Sequence, residues 1–338
     1  MKLNLHLPLK SKMLPKISII TPTFNQGQFI EQTIKSVLDQ GYPNLEYIII
    51  DGSSTDNTVD IIKKYEDQLS YWISEPDKGQ SDAINKGLRI ANGEIINWLN
   101  SDDYYEPNSL FEIAKAFEDE SINCVCARSN IFEDGGKILY QSKGTDIYSN
   151  VAKTIGWARI DQPETFFRKS AIDKMGDVSS SLHYIMDKEW WIRYLLLYGI
   201  SKIKQIDYVV VNFRLHQNSK TVAEKTLFQP ETNGMFYNLA KTLQLNEKVI
   251  LDHCEVDQNA HLNFTIDKSN VVVTLISSFY YYLLYMADYN YAIGNNKTSK
   301  AFLAAIDKEQ IEKEDHRLYR KLKLRNTLLP NWIKKIKN

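Results

Sequence analysis

An α/β fold, with a mostly parallel sheet flanked by helices and a helical C-terminal extension, is the class this sequence predicts. Three observations predict it. Strand-like and helix-like patterns alternate from residue 16 to residue 117. Polar, turn-forming clusters close four successive strands, at 21–25, 51–54, 75–80 and 100–103. Beyond residue 221 the apolar periodicity is mostly helical.

Lys16 to Ile20 reads as the first strand, and Thr21-Pro22-Thr23-Phe24-Asn25 as the loop after it. Ile30, Ile34, Val37 and Leu38 then share one helical face within 29–38. A second strand spans Glu46 to Ile50 and ends at Asp51-Gly52-Ser53-Ser54. Asp56 suits the cap of a helix from Thr58 to about Tyr65. Tyr71 to Ser74 is a third short strand, and Asp77-Lys78-Gly79-Gln80 leads into a helix over 81–90 that Asn92-Gly93 stops. Ile95 to Leu99 is an apolar strand ending in Asn100-Ser101-Asp102-Asp103, and Pro107 opens a helix reaching Phe117.

The pattern then changes. Ile122 to Phe132 and Lys137 to Gln141 read as a hairpin about Glu133-Asp134-Gly135-Gly136. Residues 142–160 carry no clear period and read as loop. An extended segment covers 161–167, a short helix Lys169 to Met175, an amphipathic helix Asp187 to Tyr198, and a strand Ile206 to Phe213. The division that follows is a tail at 1–15, a domain at 16–220 and an extension at 221–338, with the softest boundary near 218–228.

Of the 338 residues, 43% are hydrophobic and 25% charged, as in an ordinary globular chain. A formal net charge of −1 removes any global electrostatic case for nucleic acid as a partner. The 20 Tyr and 6 Trp would suit stacking on sugars or bases, although packing explains most aromatic content. Three cysteines, without disulfide-framework spacing, argue for a reducing compartment. Cys124 and Cys126 alternate along a strand, so they should be buried thiols on one face. The first 16 residues hold no apolar run suited to a signal peptide, which predicts a cytoplasmic protein. Val271 to Met286 is apolar but shorter than the ~20 residues of a spanning helix, and Ser277 and Ser278 interrupt it. A packed helix is expected there.

The chemistry concentrates at the four strand ends. In a parallel sheet those ends converge on one edge, where open α/β sheets bind ligands. One cluster alone would be only a turn. Two adjacent carboxylates after a buried strand suggest a cation, because an isolated buried charge is costly. Asp102-Asp103 therefore suits Mg²⁺ or Mn²⁺ shared with substrate phosphates, against the plainer reading of Asp103 as a helix cap. No G-x-G-x-x-G follows the first strand, and no G-x-x-x-x-G-K-[ST] occurs anywhere. Phosphate charge would then fall to a metal and a few side chains.

Four segments occur in order: Ile-Ile-Thr-Pro-Thr-Phe-Asn, Ile-Ile-Asp-Gly-Ser-Ser-Thr-Asp-Asn-Thr, Ser-Glu-Pro-Asp-Lys-Gly-Gln-Ser-Asp-Ala-Ile-Asn-Lys-Gly and Trp-Leu-Asn-Ser-Asp-Asp. Together they resemble the nucleotide-sugar domain of family 2 glycosyltransferases of the bacterial cell-surface polysaccharide type, over roughly residues 16–216. The resemblance implies the GT-A fold, a Rossmann-like sheet of mostly parallel or mixed strands. It implies an inverting transfer from a UDP-, dTDP- or GDP-type sugar donor to a saccharide or lipid-linked saccharide acceptor, assisted by Mg²⁺ or Mn²⁺. Thr21, Pro22, Thr23 and Asn25 would line the nucleoside pocket, and Asp51, with Gly52 and Ser53, would meet the base. Asp77, Lys78, Gly79 and Asn85 would lie along the nucleotide and sugar. Asn100-Ser101-Asp102-Asp103 stands where the family has its D-x-D motif. Asp103 would hold the metal; Asp102, with Asn100, would contact ribose or sugar. Asp187 would be the general base, with Glu189 as the fallback, and the plainer reading of Asp187 is a helix-terminal acid. Phe213-Arg214-Leu215-His216 resembles a late segment closing over the donor phosphates, with Arg214 on the donor and His216 as a second metal ligand or an ordinary surface histidine. A sugar-nucleotide nucleotidyltransferase and an inactive sugar-nucleotide-binding module are the competing readings. The first should carry a Gly-rich basic loop after the first strand, and residues 21–28 are not one.

Residues 316–338 are basic and amphipathic, with no acidic residue. That pattern fits either contact with the cytoplasmic face of the inner membrane or a helix packed on the domain.

Overall fold

A computed structural model describes residues 14–264 and 269–328. The first half is built as the alternation predicts. β1 (Ile17–Thr23), α1 (Ile30–Leu38), β2 (Leu45–Asp51), α2 (Thr58–Lys63), β3 (Tyr71–Ser74), α3 (Gln80–Ile90) and β4 (Ile95–Trp98) follow in sequence. The four strands are parallel, in the order β3-β2-β1-β4. Their nearly unbroken Ile runs arise because both faces are covered. Ile19, Ile49 and Ile95 enter one apolar layer with Ile30, Ile34 and Leu110. Ile20, Ile48, Ile50 and Ile96 enter a second layer with Ile84 and Leu88.

The polarity of the sheet changes beyond β4. The chain continues through β5 (Tyr104–Tyr105), α4 (Ser109–Ala116), β6 (Cys124–Glu133), β7 (Ile138–Gln141), α5 (Val151–Trp157), β8 (Thr165–Arg168), α6 (Lys169–Met175), α7 (Met186–Tyr198) and β9 (Ile203–Leu215). β8 is antiparallel to both β4 and β6, whereas β9 runs parallel to β6 and antiparallel to β5. The full order is β3-β2-β1-β4-β8-β6-β9-β5, with β7 on β6. Cys124 and Cys126 are buried with their Sγ atoms 3.8 Å apart, as their alternation predicted.

α5 falls in the stretch expected to be loop. Asn150 starts it, accepting the Lys153 N–H at 3.0 Å. Gly156, which reads as a breaker, is needed there. A Cβ at that position would lie 2.2 Å from the Ser278 carbonyl oxygen on the helix crossing it. Gly156→Ala is expected to cost about 1–3 kcal/mol, read as a lower urea midpoint at unchanged slope.

The extension holds α8 (Lys220–Ala223), α9 (Phe228–Thr242), α10 (Ser269–Ala292), α11 (Asn296–Ala305) and α12 (His316–Leu328). It shares one core with the sheet. The layer containing Ile20, Trp98 and Trp190 continues through Phe236, Phe279, Tyr282 and Phe302, so the core does not break at the 218–228 boundary. α10 is long and apolar enough to cross a membrane by length and composition. Here Phe279, Tyr281, Tyr282, Leu283 and Leu284 along it are fully buried in protein. α12 turns Tyr319 and Leu322 into the same core and leaves Leu324 exposed. Residues 329–338, the rest of the basic tail, lie outside the described residues, as does most of the 1–15 tail.

Candidate functional site

The strand ends converge on one edge, and hydrogen bonds stitch their loops together. The Asn25 N–H donates to Ser54 Oγ at 2.7 Å, and Asn25 Oδ1 accepts the Thr55 N–H at 2.8 Å. Asn25 and Ser53 both hold positive φ, +51° and +65°. Such conformations cost energy and persist where their surroundings impose them. The fully buried Asp51 carboxylate accepts from the Ser54 N–H at 3.0 Å, from Ser54 Oγ, and from Ser74 Oγ at 2.6 Å. It fixes the two loops relative to each other. A carboxylate has about four acceptor positions, and three are taken in this way.

The residues of β1 divide. Thr21 Oγ1 lies 3.1 Å from Tyr47 Oη, and Pro22 sits opposite Ile50 inside the sheet. Both are buried, and Thr21 is already bonded within the sheet. Thr23 is different. Its Oγ1 is buried and has no hydrogen-bond partner, as expected of a hydroxyl awaiting a ligand. Gly52 lets Asp77 come close, since a Cβ there would stand 2.6 Å from Asp77 Oδ2. The Gly79 N–H holds the other Asp77 oxygen at 2.8 Å. The Lys78 side chain is exposed. Asn85 is a correction. Both ends of its buried carboxamide bind the Val178 backbone at 2.8 Å, so it braces α3 against that segment.

The two adjacent carboxylates face different ways. Asp103 is 1% exposed. Its Oδ1 accepts the Arg214 N–H at 2.9 Å, and Asn100 Nδ2 lies 3.5 Å from its other oxygen. Burial first, then the Asp102 charge, pushes its carboxyl well above the usual range. Asp102 is more open, and its Oδ2 lies 3.0 Å from His216 Nε2. The Phe29 ring backs that imidazole at 4.6 Å. Asp103 thus pins the loop to β9, whereas the more open Asp102 pairs with His216. Arg214 is the second correction. Its Nε donates to the Asp102 carbonyl (2.9 Å), Nη1 to Asp134 (3.0 Å) and Nη2 to Gln32 (2.6 Å). Its guanidinium lies between Phe29 and Phe132, at 4.6 and 4.7 Å. It braces the acid loop against α1 and the hairpin after β6.

Asp187 stands in the first turn of α7, partly exposed, accepting the Lys188 N–H at 2.7 Å. Desolvation raises its pKa to about 6, and the same burial lowers that of Lys188 to about 8. Glu189, the fallback base, is fully buried. It is paired with Arg193 at 2.6 Å and accepts the Asn263 N–H at 2.9 Å.

Sequence reasoning passed over Gln80 and Lys220. Gln80 donates to Asn100 Oδ1 at 2.9 Å. Lys220 Nζ donates at 3.1 Å to both Gln80 Oε1 and the His183 carbonyl. These residues join the acid loop to the approach of α7 and line a narrow cleft with Lys78, His183 and Met186. Their positions, at the first residue of α3 and just after Ser219, were the available signal.

A model of glycosyl transferase family 2 matches residues 18–176. TuaG of Bacillus subtilis, named as a teichuronic acid biosynthesis glycosyltransferase, is 35% identical over 136 residues, which are 39% of this chain and 51% of that one. An uncharacterized glycosyltransferase of Mycobacterium tuberculosis is 30% identical over 190 residues, 54% of this chain and 70% of that one. The chain thus spans about half the length of the first and over two thirds of the second. S. aureus TarS 1–349, solved with UDP-GlcNAc, superposes with a TM-score of 0.55 at 16% identity, over 92% of this chain and 88% of that one. The mannosyltransferase PcManGT of Pyrobaculum calidifontis, solved with GDP-Man and Mn²⁺, gives 0.50 at 15% identity, over 92% and 80%. With its strand order, its acid loop and these matches together, the chain belongs to glycosyl transferase family 2 and has the GT-A fold.

Proposed function

We propose that this protein transfers a sugar from a nucleoside-diphosphate sugar to an acceptor hydroxyl, with inversion, in the synthesis of a surface polysaccharide. The observation that carries this reading is the Lys220 bridge. Lys220 bonds Gln80, which bonds Asn100 of the acid loop, and it also bonds the His183 carbonyl four residues before Asp187, which supports a donor side and a base side facing each other. Thr23 and Asp51 would meet the nucleoside, and Asp77 the region beside it. Asp187 would take the acceptor proton as the hydroxyl oxygen bonds to the anomeric carbon and the bond to the diphosphate breaks. A pKa of about 6 suits that task, since the group is ionised near neutrality yet still basic.

A divalent cation fits the donor pair. A carboxylate oxygen and an imidazole nitrogen 3.0 Å apart, with no third acidic or cysteine ligand grouped beside them among the described residues, leave positions for diphosphate oxygens. Asp102 and His216 would hold Mg²⁺ or Mn²⁺, and the ion would supply charge neutralisation for the leaving diphosphate. The donors of TarS and PcManGT, and the Mn²⁺ of the latter, favour UDP- or GDP-type donors and this metal. The acceptor is a saccharide or lipid-linked saccharide. In the second case the basic tail would bring the enzyme to the cytoplasmic face of the inner membrane, through Leu324 and the residues after it.

A panel of nucleotide sugars with Mn²⁺, scored by nucleoside diphosphate release, tests the reading; release from none of them would overturn it. Asp102→Asn is expected to lower release roughly a hundredfold or more and to abolish the Mn²⁺ dependence of nucleotide binding. Asp103→Asn should instead keep that dependence. The opposite result would return the metal to Asp103.

A further inference from the structure

α7 begins without a cap of its own. Ile185 stands at its N-cap, and no side chain there accepts a hydrogen bond. The acceptor comes from the extension. Glu231, 1% exposed in the first turn of α9, takes three successive backbone N–H groups: His183 at 2.7 Å, Tyr184 at 2.7 Å and Ile185 at 2.9 Å. The other side of the same turn is held as well, since the His183 carbonyl accepts from Lys220. The Tyr184 ring packs against Phe228 of α9 at 5.3 Å between ring centres. Asp187 follows this turn by two residues.

The geometry points to Glu231 as a positioning residue for the transfer reaction, through which the extension sets the direction and depth of Asp187. This rests on the reading of Asp187 as the base. A carboxylate is required at 231 because it only accepts. A glutamine would direct an NH₂ group at one of the three N–H donors, leaving that donor unsatisfied and the turn free to shift. Displacements of about 1 Å at a catalytic group cost up to ~100-fold in rate. The charged groups around Asp187 are Lys188 on its own helix, Lys220 on α8, Asp161 before β8 and Glu231 itself. The nucleoside loops after β1 and β2 make no hydrogen bond to this turn, and its tie to the acid loop runs through the long, flexible Lys220 side chain, so donor binding should survive a displacement of about 1 Å.

The test uses the full chain. For Glu231→Gln the expected result is a kcat roughly tenfold or more below wild type, with donor KM and nucleoside diphosphate affinity by calorimetry within about twofold. Glu231→Asp keeps an acceptor-only group and should recover part of the loss. A kcat within about twofold of wild type would overturn the inference, and so would an equal loss of nucleotide affinity, which would signal damage to the whole fold. Hydrogen exchange on the wild-type chain gives an answer even if the variant fails to fold. The amides of 183–185 should exchange as slowly as those inside α7, and loop-like exchange would overturn the proposal. Asp187→Asn separates the two readings. An active Asp187→Asn refutes the base, whereas an inactive Asp187→Asn beside an active Glu231→Gln refutes only the positioning.

Discussion

Asp187→Asn is expected to abolish most sugar transfer while making the protein more stable. General-base removal typically costs 10²–10⁴-fold in rate, and nucleotide affinity should be unchanged because the nucleoside loops lie on other elements. In the wild type, kcat/KM should rise with pH, reach half its maximum near pH 6 and level off above, since the carboxyl must be ionised to accept a proton. The sign for stability is the reverse. Burial raises the carboxyl from 3.8 in the usual aspartate to about 6, so the native form binds its proton more tightly than the unfolded chain does. Stability is then lost as pH rises from about 4 to about 6, and the full penalty applies above. Asparagine carries no charge to desolvate, and the variant should gain up to about 3 kcal/mol at pH 8. Urea unfolding at pH 4 and pH 8 checks this: the gain should appear at pH 8 and be small at pH 4. A gain over wild type of the same size at both pH values would remove the evidence for a strained base.

Arg214→Ala is expected to produce the largest loss of stability among substitutions near the cleft. The guanidinium joins α1 through Gln32, the acid loop through the Asp102 carbonyl and the β6–β7 hairpin through Asp134, while two rings cover its faces. The ion pair with Asp134 adds little, because that carboxylate is exposed. The loss lies in the other two hydrogen bonds and the stacked, buried stem, together about 3–4 kcal/mol. Lysine should not restore it, since a point charge cannot reach three acceptors in different directions. Thermal unfolding measures the cost, and metal-dependent nucleotide binding should weaken in the same variant because Asp102 loses its anchor. A melting temperature within a degree of wild type would show the bracing to be incidental.

The residues just named show where sequence carries information and where it does not. The parallel half was readable because every element from Ile17 to Trp98 has one consistent period and a turn-forming end. The four clusters of polar residues could be joined into one edge by topology alone. α5 was not readable, since seven residues containing Gly156 have no distinct face; that glycine answers to α10, more than a hundred residues later. β5 is two residues long and exists through its pairing with β9. Which of two neighbouring carboxylates turns outward depends on a backbone N–H at Arg214, on a distant strand. The pattern around Phe213 to His216 marked a cation without showing that Gln32, Asp102 and Asp134 accept from it. Asp187 was singled out through the family resemblance, and an acid opening a helix is a local feature. Glu231 lies 44 positions further on and carries no local mark.

The unbroken core has a consequence for how the protein comes into being. Translation delivers the nucleoside loops, the acid loop and α7 in that order, and domains fold as they emerge. Yet Phe236, Phe279 and Tyr282, which belong to the same apolar core as Trp190 and Trp191, arrive only later. A growing chain that has reached residue 220 therefore lacks part of its apolar core and the carboxylate that seats α7. The nascent enzyme would pass through an interval in which its nucleotide loops are complete but its acid–base machinery is not. Ribosomal pausing or chaperone capture would act on the enzyme within that interval.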